Sequence, residues 1–192
     1  SDTPEVKRYK DFLKEAVRRK DAVTPRERMY IEAWDAAMQA EPTERVKTLD
    51  RKLQELVLKN PDDVEAKALL ALFSIELGNT LGTELLIREV LAKQPDHPGA
   101  HHARIHNWDG TSAEQAIVSC QAYGRIAPGI GHSNHMPGHN YSKLGMWHEA
   151  ARSMDAATRV ELRYMNERLA LPFETWNYAH NRNYLCYIQE QL

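Results

Sequence analysis

Between Pro61 and Pro95 the apolar residues Val64, Ala68, Leu69, Leu72, Phe73 and Ile75 recur at three- and four-residue steps; Gly78 breaks the run, and Leu85, Leu86, Val90 and Leu91 resume it. Apolar positions at that spacing line one face of a helix, so the stretch predicts helix, short turn, helix. Prolines mark a period: Pro61 and Pro95 are 34 residues apart, and Pro128 follows 33 residues later. Gly78, Gly110 and Gly145 each fall in the break between two helical runs, where a tight or left-handed backbone costs little only for glycine. The pattern predicts helix pairs at about 26–59, 62–93, 98–126 and 133–168, with one more helix before them (about 4–20) and one after (about 174–190). No alternating stretch bounded by hairpin signals is present, so the chain is expected to be all-α.

A unit of about 34 residues built from two antiparallel helices, with small residues at fixed offsets and a terminal proline, resembles the tetratricopeptide repeat. The best match is YSKLGMWHEAARSMDAA, where Gly145, Trp147, Ala150, Met154 and Ala157 fall at the repeat's turn glycine, aromatic, alanine, large apolar and alanine positions. The resemblance implies a right-handed α-solenoid of about four helix pairs plus flanking helices, spanning 1–192 as one domain. It also implies a concave groove that could receive a partner peptide or protein.

Composition divides this array. Residues 1–96 hold 17 Lys or Arg, 19 Asp or Glu and no histidine; residues 97–192 hold 8 basic and 8 acidic residues and all nine histidines. Ten of the fifteen aromatic residues also lie in the second part. No Ser/Gly/Pro-rich linker separates the two, so the asymmetry reads as charged N-terminal repeats followed by histidine-rich C-terminal repeats. The formal charge of −2 argues against nucleic acid as a partner, because phosphate binding requires a basic excess. No apolar stretch is long enough to span a bilayer, and the start SDTPEVKRYK has no apolar signal region, so a soluble chain is expected, cytoplasmic or exported after removal of a leader. Two cysteines are too few to indicate a redox compartment.

The histidines follow the repeat. His102 and His106 are four apart on the first helix of one unit, and His135 and His139 are four apart on the first helix of the next, shifted by 33 as Pro128 is from Pro95. Pairs at the same phase stack on neighbouring helices, so four imidazoles are expected to converge. By offset, His102, His106, His132, His135 and His139 face the groove, and His180, four residues after Trp176, is a further rung. His97, His101 and His148 fall elsewhere, His101 between helices.

Neutral imidazole is a ligand for zinc, copper, nickel and iron, and paired histidines on one helix face supply two ligands in HExxH metalloproteases, a motif missing here. Three or four histidines from two or three helices suit a transition metal, zinc first, with copper or iron as alternatives. Asp109 is the nearest carboxylate, as ligand or orienting group, and an iron site with one carboxylate would need Asp109 or Glu174 to ligate. Asn134, Asn140, Asn177 and Asn181 are candidates to hold the other ring nitrogens, and Trp176 to wall the pocket. An open metal position could activate water for hydrolysis of an unspecified substrate. The competing reading is a metal-free scaffold whose histidines pack with Trp108, Tyr141 and Trp176 or line a groove for a peptide, a protein or a small acidic ligand. Duplication of the repeat could itself have copied a structural histidine pair.

The segments HPGAHHARIHNWDG, IAPGIGHSNHMPGHNYSKLGMWHEA and YAHNRNYL carry a second, narrower resemblance, to bacterial tetratricopeptide-type proteins with HMPSH-like and HN-x-H-like motifs. Here Gly138 stands where serine is usual and Asn183 where the second histidine would be. This resemblance implies a shared site and names no reaction.

Other residues read as structural. Cys120 sits at a large apolar offset, and Cys186 has no neighbouring base. Ser133 and Ser142 lack the surroundings of a nucleophile, the Gly129–Gly131 turn joins repeats, and the basic run from Arg18 to Lys20 is balanced by nearby acids. Met136 is expected in the core more than as a copper ligand, and Pro137 is expected to bend its helix so that the imidazoles aim inward.

Overall fold

The structure, a computed structural model, describes residues 3–192; Ser1 and Asp2 of the polar start lie outside it. Its contacts group into two compact units, Ser1–Gly82 and Thr83–Leu192. That division falls earlier than the compositional break after residue 96. Among the described residues there are ten α-helices and no strand: α1 Pro4–Arg19, α2 Pro25–Gln39, α3 Arg45–Lys59, α4 Val64–Glu76, α5 Thr80–Lys93, α6 Pro98–Asp109, α7 Ile117–Ile126, α8 Gly131–Lys143, α9 Trp147–Arg168 and α10 Trp176–Gln189. None is long and apolar enough to cross a membrane.

In the first unit local chemistry sets the helix starts. Thr24 and Glu27 form a reciprocal capping box around Pro25 at the first position of α2, so two orphan backbone donors are satisfied. Asp63 caps α4 by accepting from the Ala66 N–H at 3.1 Å, and it also pairs with the Arg26 guanidinium (2.8 Å) and accepts from the Tyr30 hydroxyl (3.0 Å). Burial works against the Asp63 carboxylate, but these three donors together hold its pKa below the ordinary value. Leu49, Leu53 and Leu56 of α3 are buried with Ala33 of α2 and Ala66 and Ala71 of α4. The covered face of α4 is made of Ala66, Ala68, Leu70, Ala71 and Ser74, while Leu69, Leu72, Phe73 and Ile75 are only half-buried. Trp34 takes Phe73 edge-on, with ring centroids 5.5 Å apart.

The second unit is centred on Ile105, Cys120, Tyr123, Met136, Tyr141, Met154, Leu185 and Ile188, drawn from α6 to α10. Met136 is therefore core, and burial pushes the Cys120 thiol up to about 12, which keeps it an inert thiol. Gly145 has φ +70 between α8 and α9, and Gly78 has φ +74 after α4, both left-handed turns. Gly110 differs from expectation: its φ is −84, because α6 runs through a turn into the 3-10 segment Ala113–Ala116 and needs no left-handed residue. Leu169, φ 54, is a left-handed non-glycine residue, and it ends α9.

α8 forms in spite of its sequence, GHSNHMPGHNYSK. Pro137 lies in its interior and cannot donate to the Ser133 carbonyl, yet the helix continues through it to Lys143. Two side chains support the start. The Ser133 hydroxyl donates to the carbonyls of Ala127 and of Ile130, the latter at 2.8 Å, and the Asn134 amide donates to Ile130 O at 3.0 Å.

Candidate metal centre

α6 is held in register by Glu84 of α5. Its buried carboxylate accepts from Arg104 Nη2 (2.8 Å) and Trp108 Nε1 (2.8 Å), and from Arg88 Nε (2.8 Å) on its own helix. Arg104 is turned toward α5 as a result, leaving His102 and His106, one turn apart, on the face toward α8. His97 caps α6 by accepting from the Ala100 N–H at 3.1 Å. His101 is buried with Nδ1 3.0 Å from Ser119 Oγ and Nε2 2.8 Å from the Pro95 carbonyl. Both serve the fold, and His148 is exposed.

The other six histidines come together as two groups of three, in a different arrangement from four converging imidazoles. In the first, His102 Nε2 lies 2.9 Å from His106 Nε2 and 3.0 Å from His132 Nε2. In the second, His139 Nε2 lies 2.9 Å from His135 Nε2 and 3.5 Å from His180 Nε2. The division follows from α8. His132 is one turn before His135, so it projects beside α6, while His135 and His139 sit farther along and meet α10. The groups adjoin, with His132 and His135 stacked at a centroid distance of 5.8 Å.

Convergent ring nitrogens at these distances suit either N–H···N hydrogen bonds between the rings or a shared cation. A neutral imidazole has one N–H, so His102 Nε2 can accept from the Nε2–H of His106 or His132, or all three Nε2 lone pairs can point at one cation. The environment favours neutral rings. Burial lowers the pKa of His102 to about 4, reinforced by positive charge on His106 and His132. Burial likewise takes His135 to about 3 and His139 to about 4, and lowers His106 and His132. Neutral imidazole is the form that ligates a metal.

The surrounding residues sort as follows. Asn181, fully buried on α10, sits beside His135 and favours its charged form, although the Asn181 amide and His135 Nδ1 make no well-aligned hydrogen bond. Asn140 is fully buried with its amide also unpaired. Asn177 donates to Glu161 Oε1 at 3.5 Å and Asn134 serves the start of α8, so neither orients an imidazole. Asp109 is paired with Lys143 at 2.8 Å and acts on His106 and His139 as a nearby negative charge, outside both groups. Glu174 is exposed and accepts from the Leu171 N–H at 2.7 Å, outside both groups, so neither group is a two-histidine, one-carboxylate set. Trp176 lies against His180 at 5.7 Å but is itself exposed. Ser142 donates to the Gly138 carbonyl at 2.7 Å, which leaves its hydroxyl tied to backbone.

Two aromatic walls were not among the expected residues. Tyr123 of α7 stacks on His102 at 5.7 Å and 25°, and Tyr184 of α10 lies 4.5 Å from His139. Tyr184 has a signal in the chain, since it extends the four-residue row Trp176, His180. Tyr123 has none: it is an ordinary buried aromatic on the second helix of its repeat.

No family model matches the chain, and no curated protein matches it. Solved structures do. One described as MamA MSR-1 C2 superposes with a TM-score of 0.61 at 17% identity, over 81% of this chain and 91% of that one. MamA 41-end from Desulfovibrio magneticus RS-1 gives 0.57 at 14% identity, over 85% and 94%. A further crystal structure of MamA gives 0.58 at 11% identity, over 85% and 91%. At these identities the likeness is one of fold, and the chain has the all-α, tetratricopeptide-like fold that its helix periodicity implied.

Proposed function

We propose that this protein binds transition-metal ions on its second unit, at the histidine groups His102/His106/His132 and His135/His139/His180. The observation that supports this reading is the convergence of ring nitrogens: six side chains from three helices aim Nε2 atoms into two small volumes. Three neutral nitrogens and a free position suit zinc, with copper next; the lack of a carboxylate in either group disfavours iron of the one-carboxylate type. Asp109 and Asn181 are the groups that would tune and orient the ligands. An ion with an open position would polarise a bound water, so hydrolysis remains the chemistry such a centre would supply.

Elemental analysis tests this directly. Protein purified without a histidine tag, stripped and then reloaded with zinc or copper, should retain metal through gel filtration. His102→Ala combined with His135→Ala should abolish retention while far-ultraviolet circular dichroism stays unchanged. Wild-type protein that retains no metal sinks the proposal.

The fold likeness favours a second reading, an interaction scaffold that receives a peptide or protein without metal. In that case partner binding would survive chelation and the double substitution.

A further inference from the structure

The two histidine groups adjoin on one helix, and α8 supplies ligands to both. His132 belongs with α6, His135 and His139 belong with α10, and the rings of His132 and His135 stack at 5.8 Å. His132 also stacks on His106 at 5.8 Å, so the rings run as a continuous row from one group into the other. Two ions placed in these groups would be neighbours inside a half-buried site.

Charge then becomes decisive. All six side chains are neutral donors, so neither group contributes an anionic ligand. Asp109, the carboxylate whose charge reaches His106 and His139, is engaged by Lys143. Two dications side by side in a medium less polar than water repel one another, and neutral imidazoles do not relieve that repulsion. A small anion between them does, and each ion with three ring nitrogens retains a position for it.

We infer that the two histidine groups form a paired metal centre, in which two ions share one exchangeable bridging ligand of the class of hydroxide or azide. This rests on the metal-binding reading above and extends it: the ligand that the protein is built to take is a small anion held between two metals. The pairing would be a property of α8, which fixes both ligand sets on one rigid element.

Copper(II) and azide are suitable probes with the 192-residue chain. Wild-type protein should bind two copper ions, with an electron paramagnetic resonance signal that integrates to less than the copper present or shows a half-field transition, and azide should saturate at one per two coppers. His132→Ala and His180→Ala should each bind a single copper with a full-intensity, isolated-ion spectrum, with circular dichroism confirming that both remain folded. Two coppers giving isolated-ion spectra and two azides per chain would overturn the pairing but leave metal binding intact. A single copper in the wild type would overturn it also. No copper bound would mean that the underlying metal-binding reading has failed.

Discussion

Gly138 on α8 and Met154 on α9 meet with no room for a methyl group: a Cβ at 138 would lie 2.7 Å from Met154 Cε and 3.2 Å from its Cγ. Met154 is fully buried, so its side chain has little space to retreat. A serine at 138 would bring the same Cβ against methionine. Gly138→Ala should therefore destabilise the protein by about 1–3 kcal/mol, the usual cost of overpacking, despite a better helix propensity. Combining it with Met154→Ala should cost less than the sum of the single changes in urea denaturation, since the two residues share one space.

Glu84 should be the most sensitive acidic residue in the second unit. It is buried and carries Arg104, Arg88 and the Trp108 indole together, so Glu84→Ala leaves a largely buried guanidinium and an indole N–H without their acceptor. A loss of about 3–5 kcal/mol is expected from chemical denaturation. Because Arg104 and Trp108 lie on α6 with His102 and His106, the same variant should also weaken metal retention.

Acid should destabilise the metal-free second unit through its histidines. Their folded pKa values, about 4 for His102 and His139 and about 3 for His135, lie below the ordinary value of 6.5. The unfolded chain therefore binds more protons in that interval, and stability rises with pH across it. The stabilising effect is fully present above pH 6.5 and is lost as pH falls toward 4 and then 3. Each histidine kept neutral costs up to about 1.4 kcal/mol per pH unit. Thermal melts of metal-free protein at stepped pH should show the decline, and His102→Gln with His135→Gln should flatten it.

Leu169 is a non-glycine residue in a left-handed conformation, and its side chain is 89% exposed, so nothing that it packs against compensates. Leu169→Gly should raise stability by up to about 1 kcal/mol, because relief of the left-handed strain exceeds the added freedom of the unfolded chain. A rise in melting temperature checks this, and Leu169→Val should lower it.

Periodicity made the helices legible in the sequence, and with them the pairs α2–α3, α6–α7 and α8–α9. The break residues were only partly so: Gly78 and Gly145 do take left-handed φ, whereas Gly110 does not, because the chain there passes into a 3-10 turn. Repeat phase, with the four-residue row from Trp176, singled out the six histidines that come together but not their division into two groups. Counting offsets treats each helix as equivalent, and it cannot see that one turn along α8 separates a ring facing α6 from a ring facing α10. Glu84 and Tyr123 were invisible for a related reason. Their roles come from contacts to other helices, which leave no local pattern.

α8 contains two glycines, an interior proline and few strong helix formers, and most of its side chains are polar, yet most of its residues are buried. A peptide of residues 131–143 would have little reason to be helical in water, since neither intrinsic preference nor an apolar stripe supports it. Its helix is instead imposed by the neighbours that enclose it, chiefly α9, and so depends on tertiary docking. His132, His135 and His139 consequently acquire their mutual geometry only when the whole unit closes, and in a nascent or partly unfolded chain they are three unrelated imidazoles.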